Sequence, residues 1–163
     1  MRGWRILALL VVAALVILAI VLVGTGSLPG APRTFLARLS GEQVVPPVDT
    51  RARGDAAFQL REGGRALGYK LDVSNLDGVT AAHIHLGQPG ESGPVVAPLY
   101  AGPAAEGGFS GTLAQGTLRA ADLTGLLKGR SIADLVGEIE AGNTYVNVHT
   151  QRYPSGEIRG QIR

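Results

Sequence analysis

The chain has 163 residues, which suits one domain with a hydrophobic core better than two. It contains no cysteine, so disulfides, thiolate metal ligands, a cysteine nucleophile and lipid attachment through an N-terminal cysteine are excluded. Arg2 and Arg5 account for the net charge of +2, because the other 13 of the 15 Lys/Arg are balanced by 13 Asp/Glu. Those charges are interspersed without a basic block, so the sequence does not favour nucleic-acid binding.

The N-terminal segment 6–23 is an unbroken run of 18 apolar residues. As a helix it would be roughly 27 Å long, close to the ~30 Å hydrocarbon core of a bilayer. The run is longer than the apolar core of a cleaved signal peptide, and no clear A-x-A site follows it. The sequence therefore favours a transmembrane signal anchor over a cleaved signal peptide. In either case Arg2 and Arg5 keep residues 1–5 in the cytoplasm and the rest is exported.

Residues 24–32 are rich in small residues and proline, which predicts a linker to a domain over residues 33–163. Within that domain, short segments alternate apolar and polar residues or are short apolar runs, as strands do. These segments are residues 34–40, 55–61, 66–73, 81–87, 94–99, 107–113, 144–150 and 157–163.

Turn and helix signals separate the strands. Residues 62–65 (EGGR) predict a hairpin, and residues 74–78 (SNLDG) predict a turn. Ser131 is a candidate N-cap for a short helix over residues 131–139, and residues 120–127 allow a further helical turn. About eight short antiparallel-compatible strands with one or two helical turns predict an all-β sandwich or barrel.

The histidines are concentrated in two of the predicted strands. His83 and His85 alternate with Ala82, Ile84 and Leu86, which turns both imidazoles to the face away from the core. In residues 144–150 (TYVNVHT), the same alternation turns His149 away from the core. If the two strands are neighbours, all three imidazoles meet in one patch.

A three-histidine patch on a sheet suggests metal binding. Imidazole suits Cu(II), Zn and Ni, so we expect copper first and zinc second, held by His83, His85 and His149. Tyr145, Asn147 and Glu91 are candidates for weak or supporting ligands. The alternative is a hydrogen-bonded histidine cluster that orders loops without metal. The carboxylates and Ser92 have no catalytic spacing, so no catalytic residue is predicted.

Three ordered motifs carry a family resemblance. They are LSGEQVVPPVDTRARGDAAFQL, AAHIHLGQPGESGPVVAPLY and YVNVHTQRYPSGEIRGQI. They contain an E-x-x-P-P-V-like segment with one extra valine, A-H-I-H-x-G, and V-H-T-x-x-x-P-x-G-E-I-R-G-Q. Together they resemble the CHRD domain, which is named from chordin and is widespread in exported bacterial proteins. The resemblance runs from about residue 34 to residue 162.

The resemblance implies an all-β Greek-key-like fold more firmly than a function. It suggests a membrane-anchored extracytoplasmic binding or structural module, with the histidine patch as a site for copper or another divalent metal. Two alternatives stay open. The H-x-H strand before a glycine loop is loosely similar to the copper strand of copper–zinc superoxide dismutase, which would imply a redox enzyme. Chordin itself, a secreted growth-factor antagonist, suggests a protein–protein interaction module without metal.

Overall fold

A computed structural model describes residues 33–103 and 105–163, which fall in one compact unit, Pro32–Arg163. That part of the chain forms one sheet of seven antiparallel strands. The strands are β1 (Thr34–Ser40), β2 (Arg53–Arg61), β3 (Ala66–Leu86), β4 (Val95–Tyr100), β5 (Ala105–Arg119), β6 (Thr144–Thr150) and β7 (Ile158–Gln161). Helix α1 (Ile132–Glu140) and four 3-10 turns, at Gly41–Gln43, Glu62–Gly64, Ala120–Asp122 and Gly125–Leu127, complete the described fold. The all-β antiparallel prediction is confirmed.

Strand β3 differs most from the prediction. The sequence predicts two strands, at residues 66–73 and 81–87, joined by a turn, but residues 66–86 form one strand of 21 residues. The turn-forming residues sit where the register against β5 shifts, between Val73 and Leu76 and between Asp77 and Val79. Asn75 has a positive φ of 56° there. The predicted turn is wrong because residues that tolerate positive φ also make β-bulges, which add twist without ending a strand.

The length of β3 lets it organise the whole sheet. One edge of β3 pairs first with β2 and then with β6, while the other edge pairs with β5 and then β4. Strands β1 and β7 link β2 to β6, with Ser40 opposite Arg159. Leu36 and Arg163 extend that link by exchanging backbone hydrogen bonds of 2.7 and 2.9 Å. The pairing therefore closes on itself into a barrel-like fold.

The core lies on the inner face of this closed sheet and under α1. Its largest fully buried side chains are Phe58, Leu39, Leu67, Leu71, Leu76, Ile84, Ile132, Leu135, Ile139, Ile158, Ile162 and Val79. The predicted helix is confirmed, with Ser131 as its N-cap accepting a hydrogen bond from the Asp134 amide. Its apolar positions at helical spacing all face the core, so α1 covers one side of the sheet.

The predicted N-terminal regions, at residues 1–5, 6–23 and 24–32, lie outside the described residues. Across residues 33–103 and 105–163, no helix is both long and apolar enough to cross a membrane. The transmembrane anchor remains a prediction from the sequence.

Candidate metal centre

Pairing between β3 and β6 brings the three histidines together. In this register His83 lies opposite Asn147, His85 opposite Tyr145, and His149 opposite Ala81. Alternate residues share a face, so His149 sits diagonally across from His83. Ring centroids are 5.2 Å apart for His83–His149 and 5.8 Å for the other two pairs. One nitrogen from each ring lies within 4.8 Å of the other two, and these three residues are termed the histidine cluster below.

The histidine cluster lies on the face of the sheet away from the hydrophobic core, as strand alternation predicts. That face is covered by other parts of the chain. Ala82 and Ile84 point into the core, so the imidazoles do lie on the opposite face. His85 is nevertheless only 7% exposed, and His83 and His149 are partly buried. Two segments form the cover, residues 87–94 (the first covering loop) and residues 151–157 (the second covering loop). Their hydrogen bonds to the sheet fix the cluster.

Backbone carbonyls of the two covering loops set the tautomers of two histidines. His85 Nδ1 lies 2.9 Å from the carbonyl oxygen of Gly93, and His149 Nδ1 lies 2.9 Å from that of Pro154. A carbonyl oxygen only accepts, so each Nδ1 carries the proton and donates it. The lone pair of His85 and of His149 is therefore on Nε2. Metal-binding histidines are commonly oriented by this type of second hydrogen bond.

The nitrogen atoms that remain are buried without partners. His83 Nδ1, His85 Nε2 and His149 Nε2 make no hydrogen bond in the described part of the chain. Leaving a buried polar atom unpaired costs about 1–3 kcal/mol, and native proteins rarely tolerate a group of them. One cation bound at ~2.0–2.1 Å to each nitrogen would satisfy all three after a small inward shift of the rings. The geometry fits a metal ion.

Burial in the cluster lowers the pKa of two of its imidazoles, those of His83 and His85. The pKa of His83 is lowered to about 4, first by burial and then by the neighbouring imidazoles of His149 and His85. The pKa of His85 is also lowered, first by burial and further by His149 and Arg159, while the hydrogen bond to Gly93 acts in the opposite direction. Metal ions bind only the neutral imidazole, so these shifts keep His83 and His85 competent as ligands at neutral pH.

A layered stack supports His85 from behind. The Tyr145 ring stacks on His85 at 4.9 Å with 15° between the planes, and its hydroxyl accepts a 3.1 Å hydrogen bond from the Gly93 amide. The guanidinium carbon (Cζ) of Arg159 lies 3.5 Å from the centroid of the Tyr145 ring. The role of Tyr145 as a weak or supporting metal ligand stays a prediction. Its hydroxyl faces Gly93, so its ring supports His85 by stacking.

The sequence also singled out Asn147 and Glu91. Asn147 is buried on the face of the cluster, donates to the Ser155 carbonyl at 3.0 Å, and has an unpartnered Oδ1. The Glu91 carboxylate instead accepts a 3.3 Å hydrogen bond from the Gln88 amide and caps the first covering loop. Glu91 is outside the group of converging ligand atoms, so the structure gives it a loop-holding role.

Sequence reasoning missed the two polar residues of β7 that hold the first covering loop. Arg159 donates to the carbonyls of Glu91 and Gln88 at 2.6 and 2.9 Å, and Gln161 donates to the Gly87 carbonyl at 2.8 Å. Both are buried. Their alternation with Ile158, Gly160 and Ile162 would have placed both side chains on the same face as the histidines.

Two glycines let the covering loops approach the sheet closely. A Cβ on Gly93 would lie 1.8 Å from the Leu86 carbonyl oxygen, so no side chain fits there. A Cβ on Gly156 would lie 2.2 Å from Asn147 Oδ1, and its φ of +121° also favours glycine. Glycine at positions 93 and 156 therefore lets the two covering loops pack closely against the sheet.

Comparison with known proteins agrees with the family resemblance of the sequence motifs. The family model of the CHRD domain matches residues 35–162. Chordin from Xenopus laevis is 35% identical over 132 residues, covering 76% of this chain and 12% of chordin. The chain thus spans about an eighth of the length of that relative. No solved structure gives a significant match. On the extent of the family match, the chain belongs to the CHRD domain family.

Proposed function

We propose that this protein is a membrane-anchored extracytoplasmic CHRD module that binds one divalent metal ion through His83, His85 and His149. Copper is the first candidate and zinc the second. The observation that carries the proposal is the convergence of one nitrogen from each imidazole within 4.8 Å of the other two. Each ring also has a buried nitrogen without a hydrogen-bond partner. In His85 and His149, Nδ1 donates its proton to a backbone carbonyl, so Nε2 is the nitrogen that can accept a metal ion.

The donor set selects the class of metal. Three imidazole nitrogens suit copper, zinc and nickel, whereas calcium and magnesium prefer oxygen ligands. In the described residues, no carboxylate joins the converging ligand atoms. The proposal therefore specifies a borderline transition metal rather than a hard cation.

The test is calorimetric titration of the full chain, purified in detergent without a histidine tag, with Cu(II) and separately with Zn(II). We expect one ion per chain with a dissociation constant below micromolar. His83→Ala combined with His85→Ala should abolish this binding. The matched control is Gln115→Ala on the exposed surface of β5, which should bind as the parent chain does. Binding weaker than micromolar, or unchanged in the double variant, would defeat the proposal.

The membrane anchor is proposed on the sequence alone. Residues 6–23 are long and apolar enough for one span, and Arg2 and Arg5 place the N-terminus in the cytoplasm. N-terminal sequencing of the mature protein should begin at the first residues of the chain, and the protein should stay in the membrane after alkaline extraction. A mature N-terminus near residues 24–32 would show a cleaved signal peptide instead.

A second proposed role is contact with a protein partner, which is favoured by the similarity to a segment of chordin. This role does not depend on the histidine cluster. A partner captured by the parent chain should still bind after all three histidines are replaced by alanine. Loss of capture in that variant would assign the partner to the metal site.

A further inference from the structure

We infer that, where copper is the bound metal, the histidine cluster binds Cu(I) more tightly than Cu(II). The inference rests on the proposed metal-binding function.

The ligands contribute no charge to balance the ion. The hydrogen bonds to Gly93 and Pro154 keep a proton on Nδ1 of His85 and of His149, so each ring would bind a metal through Nε2 as an uncharged ligand. In the described residues, neither Asp nor Glu completes the group. A cuprous ion therefore leaves a net charge of +1 at the centre, and a cupric ion leaves +2.

The surroundings of the cluster add positive charge. Arg159 stacks on Tyr145, which itself stacks on His85, so a guanidinium lies one aromatic layer behind a ligand. The buried carboxylate of Glu157 accepts from Thr150, whose side chain alternates with His149 and points to the other face of β6. The Glu91 carboxylate caps the exposed first covering loop and interacts electrostatically with Arg159, so it offsets only part of that positive charge. The positive field of Arg159 opposes the second charge of a cupric ion.

Burial makes this difference in charge costly. The three partnerless nitrogens are buried under the two covering loops. The desolvation cost of an ion rises with the square of its charge, so a doubly charged centre costs about four times as much as a singly charged one. A buried site with neutral ligands therefore favours the lower oxidation state.

The ligand count has the same consequence. Cu(II) prefers a tetragonal arrangement of nitrogen and oxygen ligands, which needs at least four donors. The cluster supplies three nitrogens arranged as a triangle. Cu(I) has a filled d shell and accepts three-coordinate trigonal geometry without loss.

The test compares the two affinities in the full detergent-purified chain without a tag. Cu(I) affinity is measured by competition with bicinchoninate, without oxygen and with excess ascorbate, which donates the one electron that each copper ion takes up. Cu(II) affinity is measured by competition with nitrilotriacetate in air. We expect Cu(I) to bind at least 100-fold more tightly, equivalent to a reduction potential raised by about 120 mV over aqueous copper.

An isosteric variant adds a charge at the cluster. Asn147 is buried opposite His83, and its Oδ1 has no partner. Asn147→Asp should reduce the preference for Cu(I) at least tenfold, because a carboxylate balances the second charge of Cu(II). Gln115→Glu adds the same charge to the exposed surface of β5 and should leave the ratio within twofold.

The outcomes separate the inference from the proposed function. Histidine-dependent copper binding with Cu(II) equal to or tighter than Cu(I) would overturn the inference and leave the metal site intact. Absence of histidine-dependent binding for both ions would overturn both. If Asn147→Asp does not fold, the ratio measured on the parent chain decides alone.

Discussion

Acid should destabilise the metal-free protein in a pH range set by its histidines. The pKa of His83 is about 4 in the folded chain against an ordinary 6.5, so the unfolded state binds more protons between these values. Stability is therefore full above pH 6.5 and is lost as the pH falls toward 4. His85, whose pKa is also lowered, adds a loss of the same sign.

The size of the loss follows from the His83 shift. At 1.36 kcal/mol per pKa unit the shift sets an upper limit of about 3 kcal/mol, and solvent screening at this partly buried ring reduces it to about 1–2 kcal/mol. For a domain of this size that corresponds to a fall in Tm of roughly 3–10 °C. The carboxyl groups of Glu62, Asp72 and Asp134 have lowered pKa values, so their losses begin only at more acidic pH.

The assay is thermal unfolding of the chelator-treated protein at pH 7.5, 6.5, 5.5 and 4.5. His83→Asn should reduce the slope between pH 6.5 and 4.5, because this side chain no longer titrates while His85 still contributes. Gln115→Asn on the exposed surface of β5 serves as the control and should retain the slope. A Tm that stays constant across this range in the parent chain, or an equal slope in His83→Asn, would refute the reasoning.

Three further substitutions test separate parts of the account by chemical denaturation and metal titration. Gly93→Ala should abolish metal binding, because the new Cβ would lie 1.8 Å from the Leu86 carbonyl oxygen and displace the Gly93 carbonyl that accepts from His85. An unchanged metal affinity would contradict the role of the first covering loop in orienting His85. Ser131→Ala should cost about 1 kcal/mol by removing the N-cap of α1, and a loss under ~0.3 kcal/mol would count against it. Leu71→Ala should cost about 2–5 kcal/mol while leaving the metal affinity of the folded chain unchanged.

Local sequence rules predicted those parts of the fold that depend on local chemistry. Strand β1 matches its predicted bounds, and α1 follows from the Ser131 cap and the apolar spacing after it. The meeting of the histidines followed from strand alternation and needed one further fact, the pairing of β3 with β6. That pairing was an assumption at the level of sequence.

Other features depend on contacts between distant residues. The bulges of β3 and a turn use the same residues, so only the pairing with β5 distinguishes them. Arg159 acts on carbonyls 68 and 71 positions earlier in the chain, a relation that no local spacing encodes. The covered state of the cluster likewise requires two loops to fold back onto the sheet.

The most direct measurement is a crystal structure of the copper- or zinc-loaded protein with anomalous data collected at the absorption edge of the metal. We expect a single strong peak about 2 Å from His83 Nδ1, His85 Nε2 and His149 Nε2. Loaded crystals with no peak among these atoms, or with the peak at other residues, would contradict the assignment of the histidine cluster as a metal site.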